Sequence, residues 1–382
     1  MLNFEFYNPT KIIFGKGEIA KLSQLVPAGK KILMTYGGGS IRKNGVYEQV
    51  KTALSGFQVV EFGGIEPNPE YETCLKAVRV IEEEGIGFIL AVGGGSVVDA
   101  SKFMSIAVGY DGDRWEIMKN LLPLEQKVPL GAVITLPATG SEMNCNLVIS
   151  RRETKEKFGG GILSTFPKFS IIDPSVTFSL PMKQTVNGIV DTFVHVMEQY
   201  ATYDVNSPLQ DRWALSIIQT LIEEAPKVLK EPDNYDVRAN LFWCATTGLN
   251  FMIAPGVVQD WSTHALGHEL TALYGLDHGQ SLAVVMPRLW RELFADKKEK
   301  LARMARVVWH VEGTDDTAAY ECIALTEAFF NSIGMKTKLA DYGVNAKEAA
   351  EKLSERFRER KALLGEKANI TPETVFQIIV NS

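Results

Sequence analysis

The sequence predicts an α/β nucleotide-binding domain with a parallel sheet, followed by an all-α domain. Before residue 180, short apolar runs alternate with helical patterns, whereas later segments carry apolar residues three and four positions apart. The first pattern is typical of strands joined by crossover helices, and the second is typical of amphipathic helices. Because Pro181 suits a connection, we expect domains at 1–180 and 181–382, with the boundary between Leu180 and Thr185.

Each predicted strand is a short apolar run that ends in a turn signal. In chain order, the runs are KILMTY, VVEFGG, GFILAV, GAVITL and FSIIDP. The helical spacing is clearest in three segments of the second half, QDRWALSIIQTLIEEAPKVL, LARMARVVWHV and TAAYECIALTEAFFNSIG.

The composition favours a large globular protein. With 382 residues, of which 46% are hydrophobic, the chain can bury a sizeable core. The net charge of −6 comes without a polybasic run, which argues against nucleic-acid and membrane-surface partners. No apolar run approaches membrane-spanning length, and the start MLNFEFYNPTKIIFGKG does not have the pattern of a secretion leader, so we expect a cytoplasmic protein. The cysteines form no CxxC pair and are predicted to be free buried thiols; they are Cys74, Cys145, Cys244 and Cys322.

Two turns in the first half share the form strand, GGG, Ser, helix. The residues concerned are Gly38, Gly39 and Ser40 in the first turn and Gly94, Gly95 and Ser96 in the second. Glycine lets the backbone approach an anion, and the amides at a helix start favour negative charge, so each turn can hold a phosphate. A tight turn that merely needs glycine explains one such motif, but two of them after parallel strands favour a dinucleotide. Neither turn has the GxGxxG spacing of the standard fingerprint, so we expect a variant nucleotide-binding fold.

Polar side chains near these turns are further candidates for coenzyme contacts. Asp99 follows the second glycine cluster, where its carboxylate can accept hydrogen bonds from ligand hydroxyls or simply cap helix amides. The stretch TLPATGSEMN carries short hydroxyl and amide side chains at a strand end. A cofactor lining and ordinary turn chemistry explain this stretch equally well. The side chains are those of Thr135, Thr139, Ser141 and Asn144.

Histidines and one aspartate are gathered in the second half. Asp191 and His195 are four residues apart, as are His264 and His268, so each pair projects from one face of a predicted helix, and His278 follows soon after. Imidazole and carboxylate ligands suit zinc or ferrous iron, whereas calcium and magnesium prefer oxygen ligands. A buried, hydrogen-bonded histidine explains any one of these residues, but the cluster as a whole predicts a divalent metal site.

Three neighbours of the histidine cluster are given simpler interpretations. Gly279, directly after His278, is expected to allow a bend. Glu198 and Glu269 adjoin the cluster, and we favour ordinary solvated charges over a role in supporting the metal ligands.

These motifs resemble the iron-containing alcohol dehydrogenases, a family related to the dehydroquinate synthase fold. The run SIIDPSVTFSLPMKQTVNGIVDTFVHVMEQ is similar to the family's first signature, and HALGHELTALYGLDHGQS is similar to its second. Five further segments and the opening NPTKIIFGKG are most similar to the branch of NADPH-dependent aldehyde reductases and butanol dehydrogenases. These segments are YGGGS, FGGIEPNP, AVGGGSVVD, LPATGSE and QDWSTHALGHEL, and the resemblance spans nearly the whole chain.

The resemblance implies roles for the candidate residues. Four of them would bind the catalytic metal, Fe²⁺ or Zn²⁺, namely Asp191, His195, His264 and His278. His268 would lie close to the nicotinamide and the substrate, either as a catalytic proton relay or as an orienting group, and we weigh these two roles equally. Gly95, Ser96 and the following helix would hold the pyrophosphate. Further coenzyme contacts would come from Thr135, Thr139, Ser141, Asn144 and Lys157, although Lys157 by itself lies in RRETKEKFGG, which is typical of a solvated loop.

The expected reaction is the reversible reduction of an aldehyde to a primary alcohol by hydride from NADPH. Negative charge develops on the carbonyl oxygen as hydride arrives, and a divalent cation stabilises this charge as a Lewis acid. A glycerol-type polyol dehydrogenase is the close alternative. A dehydroquinate synthase-like lyase is less favoured because the residues near the predicted ligands suit an apolar chain, and a protein that binds nucleotide and metal without turnover is the third alternative. The apolar residues are Phe251, Met252, Ile253, Trp261 and Leu266.

The end of the first predicted strand favours NADP(H) over NAD(H). NAD enzymes usually place an acidic residue there, against the ribose hydroxyl. Residues 36–40 offer no carboxylate, and Ser40, Arg42 and Lys43 can accept a 2′-phosphate. The family resemblance also implies a homodimer that acts on a small-molecule aldehyde or alcohol.

Overall fold

A fully parallel six-stranded sheet organises the first half of the chain. The computed structural model describes residues 1–382. The strands of this sheet are β1 Lys11–Phe14, β2 Ile32–Tyr36, β3 Val59–Phe62, β4 Phe88–Gly93, β5 Leu130–Ile134 and, after a separate hairpin, β8 Phe169–Ile172. Their order across the sheet is β1-β8-β5-β4-β2-β3. Five of the strands coincide with the predicted apolar runs. The sixth, β1, was not predicted and lies at one edge of the sheet.

Helices cover both faces of this sheet. The helices of the first half are α1 Leu22–Leu25, α2 Ser40–Lys43, α3 Val46–Ala53, α4 Tyr71–Glu84, α5 Gly95–Ala107 and α6 Trp115–Asn120. Along β4, Phe88 and Leu90 belong to one apolar core, and Ile89 and Ala91 belong to the other. Successive side chains of a strand point to opposite faces, so a strand buried on both faces reads as an unbroken apolar run.

The strand order changes direction between β2 and β4. From β2 the chain adds β3 on one side and then returns to add β4 on the other side. In open parallel sheets, ligands bind beyond the carboxyl ends of the strands at such a switch point. The two glycine-rich turns follow β2 and β4, so both lie at the switch point.

An antiparallel hairpin that the sequence did not predict follows β5. It consists of β6 Asn146–Arg151 and β7 Glu156–Gly161. Leu147 and Ile149 are fully buried on one face of β6. The hairpin escapes detection because the charges of residues 151–157 and the glycines of residues 159–161 are poor strand formers.

The second half of the chain is helical. Its helices are α7 Met182–Tyr200, α8 Pro208–Lys230, α9 Tyr235–Gly248, α10 Ser262–Tyr274, α11 His278–Glu292, α12 Phe294–Trp309, α13 Asp315–Ser332, α14 Ala346–Glu359 and α15 Pro372–Val380. No helix combines the length and the apolar character needed to cross a bilayer. The predicted fold class, a parallel-sheet α/β region followed by a helical region, is confirmed.

Two compact units divide the chain. The sheet unit comprises Tyr7–Pro181 and Pro232–Thr246, and the helical unit comprises Met1–Phe6, Met182–Glu231 and Thr247–Ser382. Most of α9 therefore belongs to the sheet unit. The functional division into domains 1–180 and 181–382 stays a prediction.

Inside the helical unit, one buried ammonium joins three parts of the chain. Nζ of Lys297, on α12, lies 2.6 Å from Oδ2 of Asp260 and 2.7 Å from Oε2 of Glu366. Asp260 precedes α10 and accepts hydrogen bonds from the amide and the hydroxyl of Ser262. None of the three charged side chains is more than 4% exposed. Two carboxylates and one ammonium are neutral together only when one carboxylate is protonated. The burial of this trio therefore favours a proton on one of the two carboxylates.

Glu366 is the member of the trio that keeps this proton. Burial and the neighbouring Asp260 raise the pKa of Glu366 to about 7, against the opposing effect of Lys297. Burial alone would raise the pKa of Asp260, but the hydrogen bond with Glu366 and the charge of Lys297 lower it to about 2. The folded protein therefore holds a proton on Glu366 between pH 4.5 and about 7, whereas the unfolded chain releases it.

We predict that Glu366→Gln makes stability less dependent on pH. The raised pKa of Glu366 stabilises the fold fully below pH 4.5, and this contribution is lost as the pH rises through about 7. Glutamine mimics the protonated acid, so the Tm of the variant should fall less than that of the wild type between roughly pH 5 and pH 8. Thermal unfolding at the two pH values measures the difference. Glu321→Gln, at an exposed position of α13, is the control, and parallel Tm curves for wild type and Glu366→Gln would contradict the assignment.

Candidate metal centre and dinucleotide site

Three imidazoles converge on one carboxylate oxygen in the helical unit. The Nε2 atoms of His195, His264 and His278 lie 3.5, 3.6 and 3.5 Å from Oδ1 of Asp191. The nearest ligand atoms of Asp191, His195 and His264 all lie within 4.8 Å of one another. These three residues are buried, whereas the side chain of His278 is 25% exposed. The four predicted ligands therefore form one cluster with a single more open member.

Three helices supply the four side chains. Asp191 and His195 lie one turn apart on α7, His264 lies in the first turn of α10, and α11 begins at His278. The start of α11 is fixed by a capping box in which Asp277 and Gln280 each accept a hydrogen bond from the other's backbone amide. The sequence therefore determines locally where the fourth imidazole is placed.

Gly279 permits a close helix contact, and the bend expected there is wrong. It is the second residue of α11, and a Cβ at this position would lie 2.8 Å from the backbone oxygen of Asn187 on α7. Nδ2 of Asn187 also donates a hydrogen bond to Asp277 at 3.0 Å. Only glycine allows α11 to approach α7 this closely beside His278.

The donor atoms of the cluster fit a divalent cation. Oδ1 of Asp191 and Nε2 of His264 are buried and have no hydrogen-bond partner in the protein, which is costly unless another group engages them. Tetrahedral sites with metal–ligand bonds of about 2.0–2.2 Å place their ligand atoms about 3.3–3.6 Å apart. The observed distances from Asp191 to the imidazoles, 3.5 to 3.6 Å, lie within this range.

The charges in the cluster keep the carboxylate ionised. Burial alone would raise the pKa of Asp191, but the imidazoles of His195, His278 and His264 outweigh it and hold that pKa well below its usual range. At His264, burial lowers the pKa, whereas Glu198 and Asp191 raise it to about 9 overall. A cation that binds His264 must therefore displace a proton, which couples metal affinity to pH.

Glu198 is buried, so its interpretation as a solvated charge is wrong. It lies on α7 and is 6% exposed. Its carboxylate accepts hydrogen bonds from Nδ1 of His264 and, at 2.5 Å, from the amide of Thr263. Because Nδ1 is engaged in this way, Nε2 of His264 is turned towards Asp191, as in histidines that carry a metal.

Glu269 is also buried, and its interpretation as a solvated charge is likewise wrong. It lies on α10 and is 6% exposed. Its carboxylate pairs with Nε of Arg356 at 2.8 Å and with Nη1 of Arg360 at 2.6 Å. Both arginines come from α14 and its C-terminal end, far along the chain, and they tie α10 to that helix.

His268 lies beside the cluster. Its ring centroid is 5.3 Å from that of His278 and 6.1 Å from that of His264. It is half-buried on α10, one turn after His264. This position is compatible with both predicted roles, proton relay and orienting group.

The predicted coenzyme residues of the sheet unit gather at one edge of the sheet. They follow β2, β4 and β5, and these strands are neighbours in the order β5-β4-β2. Gly39 adopts a φ of 97° immediately before α2. The residues at this edge are Gly38, Gly39, Ser40, Gly94, Gly95, Ser96, Thr135 and Thr139.

The stretch after β5 lies directly against the first turn of α5. A Cβ on Gly95 would lie 2.4 Å from Oγ1 of Thr139, so only glycine allows this contact. The amide of Thr135 donates to the backbone oxygen of Gly93 at 2.9 Å. The second glycine cluster and the TLPATGSEMN stretch therefore form one surface.

Asp99, Ser141 and Asn144 are buried and bonded within the sheet unit. Asp99 accepts hydrogen bonds from the Ser141 hydroxyl at 2.5 Å and from the amide of Val148 at 3.0 Å. Helix capping does not explain Asp99, because its two carboxylate oxygens accept hydrogen bonds from Ser141 and Val148, which lie outside α5. Lys102, which the sequence analysis did not single out, donates to Ser141 and Asn144.

Lys157 lies on a strand and not in a solvated loop. It is part of β7, and its Nζ donates to Oδ1 of Asn68 at 2.9 Å. The contact between Lys157 and the coenzyme stays a prediction.

A carboxylate approaches the end of β2 in space, although none follows it in sequence. Nη2 of Arg42 donates to Oε2 of Glu61 at 3.0 Å and to the Tyr36 hydroxyl at 2.9 Å. Glu61 lies on the adjacent strand β3 and also accepts a hydrogen bond from Tyr47 at 2.7 Å. Arg42 nevertheless keeps 48% of its side chain exposed.

Of the residues that sequence reasoning misassigned or missed, Glu198 and Lys102 carry a periodic signal. Glu198 comes three residues after His195 and seven after Asp191, so the three share one face of α7. Lys102 comes three residues after Asp99 on α5 in the same way. Glu61 carries no such signal, because its partner Arg42 lies on a different element.

The two halves of the chain match the two parts of one protein family. Residues 9–174 match the iron-containing alcohol dehydrogenase domain. Residues 185–382 match the C-terminal domain of the Fe-containing alcohol dehydrogenase family.

Two relatives are similar to this protein over nearly the whole chain. The chain is 48% identical to the NADPH-dependent aldehyde reductase YqhD of Escherichia coli, over 97% of this chain and 97% of the relative. It is 43% identical to the probable NADH-dependent butanol dehydrogenase 1 of Bacillus subtilis, over 90% of this chain and 91% of the relative.

Solved structures agree with this fold. The crystal structure of E. coli YqhD superposes with a TM-score of 0.97 at 47% identity, over 99% of this chain and 98% of that chain. The NADH-dependent butanol dehydrogenase A of Thermotoga maritima superposes with a TM-score of 0.94 at 36% identity, with the same coverage. The predicted family resemblance is confirmed: the chain belongs to the iron-containing alcohol dehydrogenases, in the branch of the aldehyde reductases and butanol dehydrogenases.

Proposed function

We propose that this protein is a metal-dependent oxidoreductase that reduces aldehydes to primary alcohols, reversibly, with hydride from NADPH. The observation that carries the proposal is the convergence of three imidazole Nε2 atoms, at 3.5 to 3.6 Å, on Oδ1 of Asp191. The names of the relatives support the reaction class, since one is an NADPH-dependent aldehyde reductase and another a probable butanol dehydrogenase.

Asp191, His195, His264 and His278 are the proposed ligands of one divalent cation, Fe²⁺ or Zn²⁺. When bound, the cation supplies Lewis-acid stabilisation of negative charge on a carbonyl oxygen, and the reduced coenzyme supplies hydride. One carboxylate and three imidazoles suit both metals. Glu198 engages Nδ1 of His264 and so holds Nε2 towards Asp191 before any substrate arrives.

His268 is the proposed group for the proton that carbonyl reduction also requires. It is the imidazole next to the four ligands, with its ring centroid 5.3 Å from that of His278. Its half-buried position allows it either to hold the proton and donate it or to orient the substrate.

The proposed coenzyme site is the switch point of the parallel sheet. The start of α5 offers backbone amides to the pyrophosphate, and the contact between Gly95 and Thr139 shapes this surface. The proposed contacts are Gly38, Gly39, Ser40, Gly94, Gly95, Ser96, Asp99, Thr135, Thr139, Ser141, Asn144 and Lys157. Since Ser141 and Asn144 already bond to Lys102, their contribution is to shape the segment that carries them.

A homodimer in the cytoplasm is part of the same proposal. The N-terminal residues expose large apolar side chains, which a second copy of the chain would cover; they are Met1, Leu2, Phe4 and Phe6. As predicted, all four cysteines are free and buried, which suits a reducing compartment. Light scattering measures the assembly, and a monomeric mass at working concentration would contradict the dimer. Cell fractionation tests the compartment, and enzyme found outside the cytoplasmic fraction would contradict that part of the proposal.

We predict that Asp191→Ala and His264→Ala each abolish turnover and metal retention together. Both variants remove a proposed ligand, so NADPH oxidation with short and long aldehydes should fall by at least about 1,000-fold. Turnover by the chelated wild type should return when Fe²⁺ or Zn²⁺ is added. His310→Ala is the matched control, because this exposed histidine lies at the end of α12. Full activity in a chelated enzyme, or in either ligand variant, would contradict the proposal.

We predict that Glu198→Gln weakens metal binding without unfolding the protein. The amide keeps the shape of the side chain but loses the charge that orients His264, so the metal affinity should fall by about 10- to 100-fold. Chelator competition with Zn²⁺ measures this affinity. Glu224→Gln is the control, because Glu224 is also buried in the helical unit but pairs with Lys227. Equal affinities for wild type and Glu198→Gln would contradict the positioning role.

We predict a preference for NADPH over NADH that depends on Arg42. The side chain of Arg42 is 48% exposed and the 36–40 turn carries no carboxylate, so a 2′-phosphate can pair with its guanidinium. Arg42→Ala should raise the KM for NADPH by about tenfold and leave the KM for NADH nearly unchanged. Lys51→Ala is the control, since Lys51 also pairs with Glu61 but lies on α3. A wild-type enzyme that is clearly more efficient with NADH would show this interpretation to be wrong.

A further inference from the structure

A fully buried lysine joins α5 to the segment that follows β5. Lys102 has no exposed surface, and its ammonium donates three hydrogen bonds. The acceptors are Oγ of Ser141 at 2.8 Å, Oδ1 of Asn144 at 3.0 Å and the backbone oxygen of Asn146 at 2.7 Å. An ammonium has three protons to donate, and all three go to residues 141–146. This single ammonium group therefore holds residues 141–146 in place.

Asp99 determines which groups donate and which accept in this hydrogen-bond network. Its carboxylate accepts the hydroxyl proton of Ser141 at 2.5 Å, so the oxygen of Ser141 is left to accept from Lys102. The other carboxylate oxygen accepts from the amide of Val148 at 3.0 Å. Burial raises the pKa of Asp99 and lowers the pKa of Lys102 to about 8, while each charge opposes the shift of the other. The two charges therefore support each other inside the sheet unit.

Asn144 links Lys102, through Thr139, to the start of α5. Its Oδ1 accepts from Lys102 and, at 2.9 Å, from the amide of Asn146. Its Nδ2 donates to the backbone oxygen of Thr139 at 3.2 Å. Thr139 in turn lies so close to Gly95 that a Cβ there would come within 2.4 Å of its Oγ1. A chain of contacts thus runs from Lys102 to the first turn of α5.

We propose that Lys102 is a positioning residue for coenzyme binding, which holds segment 139–146 against the first turn of α5 in the shape that accepts a dinucleotide. The inference rests on the proposed function, because it assumes that this turn binds NADPH. Lys102 acts through Ser141, Asn144 and Asn146, and it is too deeply buried to touch the coenzyme itself.

The test compares coenzyme binding in Lys102→Met with that in the wild-type holoenzyme. Methionine fills the space of the lysine stem but donates no hydrogen bonds. The Kd and the KM for NADPH should rise by about 10- to 100-fold, because small displacements of a binding segment are costly. If only segment 139–146 has moved, three other quantities should change by no more than about threefold. These are the kcat at saturating NADPH, the KM for the aldehyde and the metal content.

A second variant separates positioning from charge balance. Lys102→Met leaves Asp99 buried without its cation, which lowers stability. The double variant Lys102→Met/Asp99→Asn removes both charges and should recover part of the Tm. Because Asp99 is itself a proposed coenzyme contact, the Kd of the double variant for NADPH is compared with that of Asp99→Asn alone, and this comparison carries the test if Lys102→Met fails to fold. Weak NADPH binding should persist in the double variant, since Asn144 and Asn146 still lack their donor.

Ser101→Ala is the matched control. Ser101 lies beside Lys102 on α5, and its buried hydroxyl lies 2.8 Å from that of Thr35 on β2. This variant should lose stability while its Kd for NADPH stays at the wild-type value.

Two outcomes would overturn the proposal. One is a folded Lys102→Met or double variant with wild-type Kd for NADPH. The other is an equal rise in Kd for Ser101→Ala, which would mean that NADPH affinity only follows stability. Failure of the wild type itself to bind NADPH would instead contradict the proposed function, and this result is independent of every variant.

Discussion

One buried carboxylate oxygen constrains three helices of the helical unit. Oδ1 of Asp191 faces three imidazole nitrogens at 3.5 to 3.6 Å and accepts no hydrogen bond from the protein. A buried anion is stable only where its surroundings carry compensating charge. Three helices must therefore keep their relative positions, and glycine at position 279 lets two of them approach closely enough.

The proposed metal ligands are held in place by charged side chains that are not themselves members of the cluster. The start of α10 is held by Glu198 through His264 and Thr263, and by Asp260 through Ser262. Asp260 in turn pairs with Lys297, and Lys297 pairs with Glu366. Side chains whose own partners are buried and bonded lose little freedom when a ligand arrives, which is what a preorganised site requires. Lys102 is proposed to act in the same way on the coenzyme segment of the sheet unit.

The fold class was predictable from the sequence because it depends on periodic patterns. Strands buried on both faces give unbroken apolar runs, and amphipathic helices repeat every three to four residues. The grouping of Asp191, His195, His264 and His278 was accessible for the same reason, since two of the four share one helix face. Buried charge pairs are different. Glu198 and Glu269 look like surface residues until their partners are known, and those of Glu269 lie on α14. Hairpin β6–β7 escaped because its strands depend on tertiary packing and not on propensity.

The contribution of Glu366 to the buried trio has a consequence for how the chain folds as it is synthesised. The sheet unit is complete once residue 246 has been made. The helical unit needs Glu366 to complete the buried contacts of Lys297, which also pairs with Asp260. Domains made first generally fold first, so the sheet unit can fold on the ribosome, whereas the helical unit cannot complete its packing before residue 366 has been made. The cluster of Asp191, His195, His264 and His278 would then form after the sheet unit has folded.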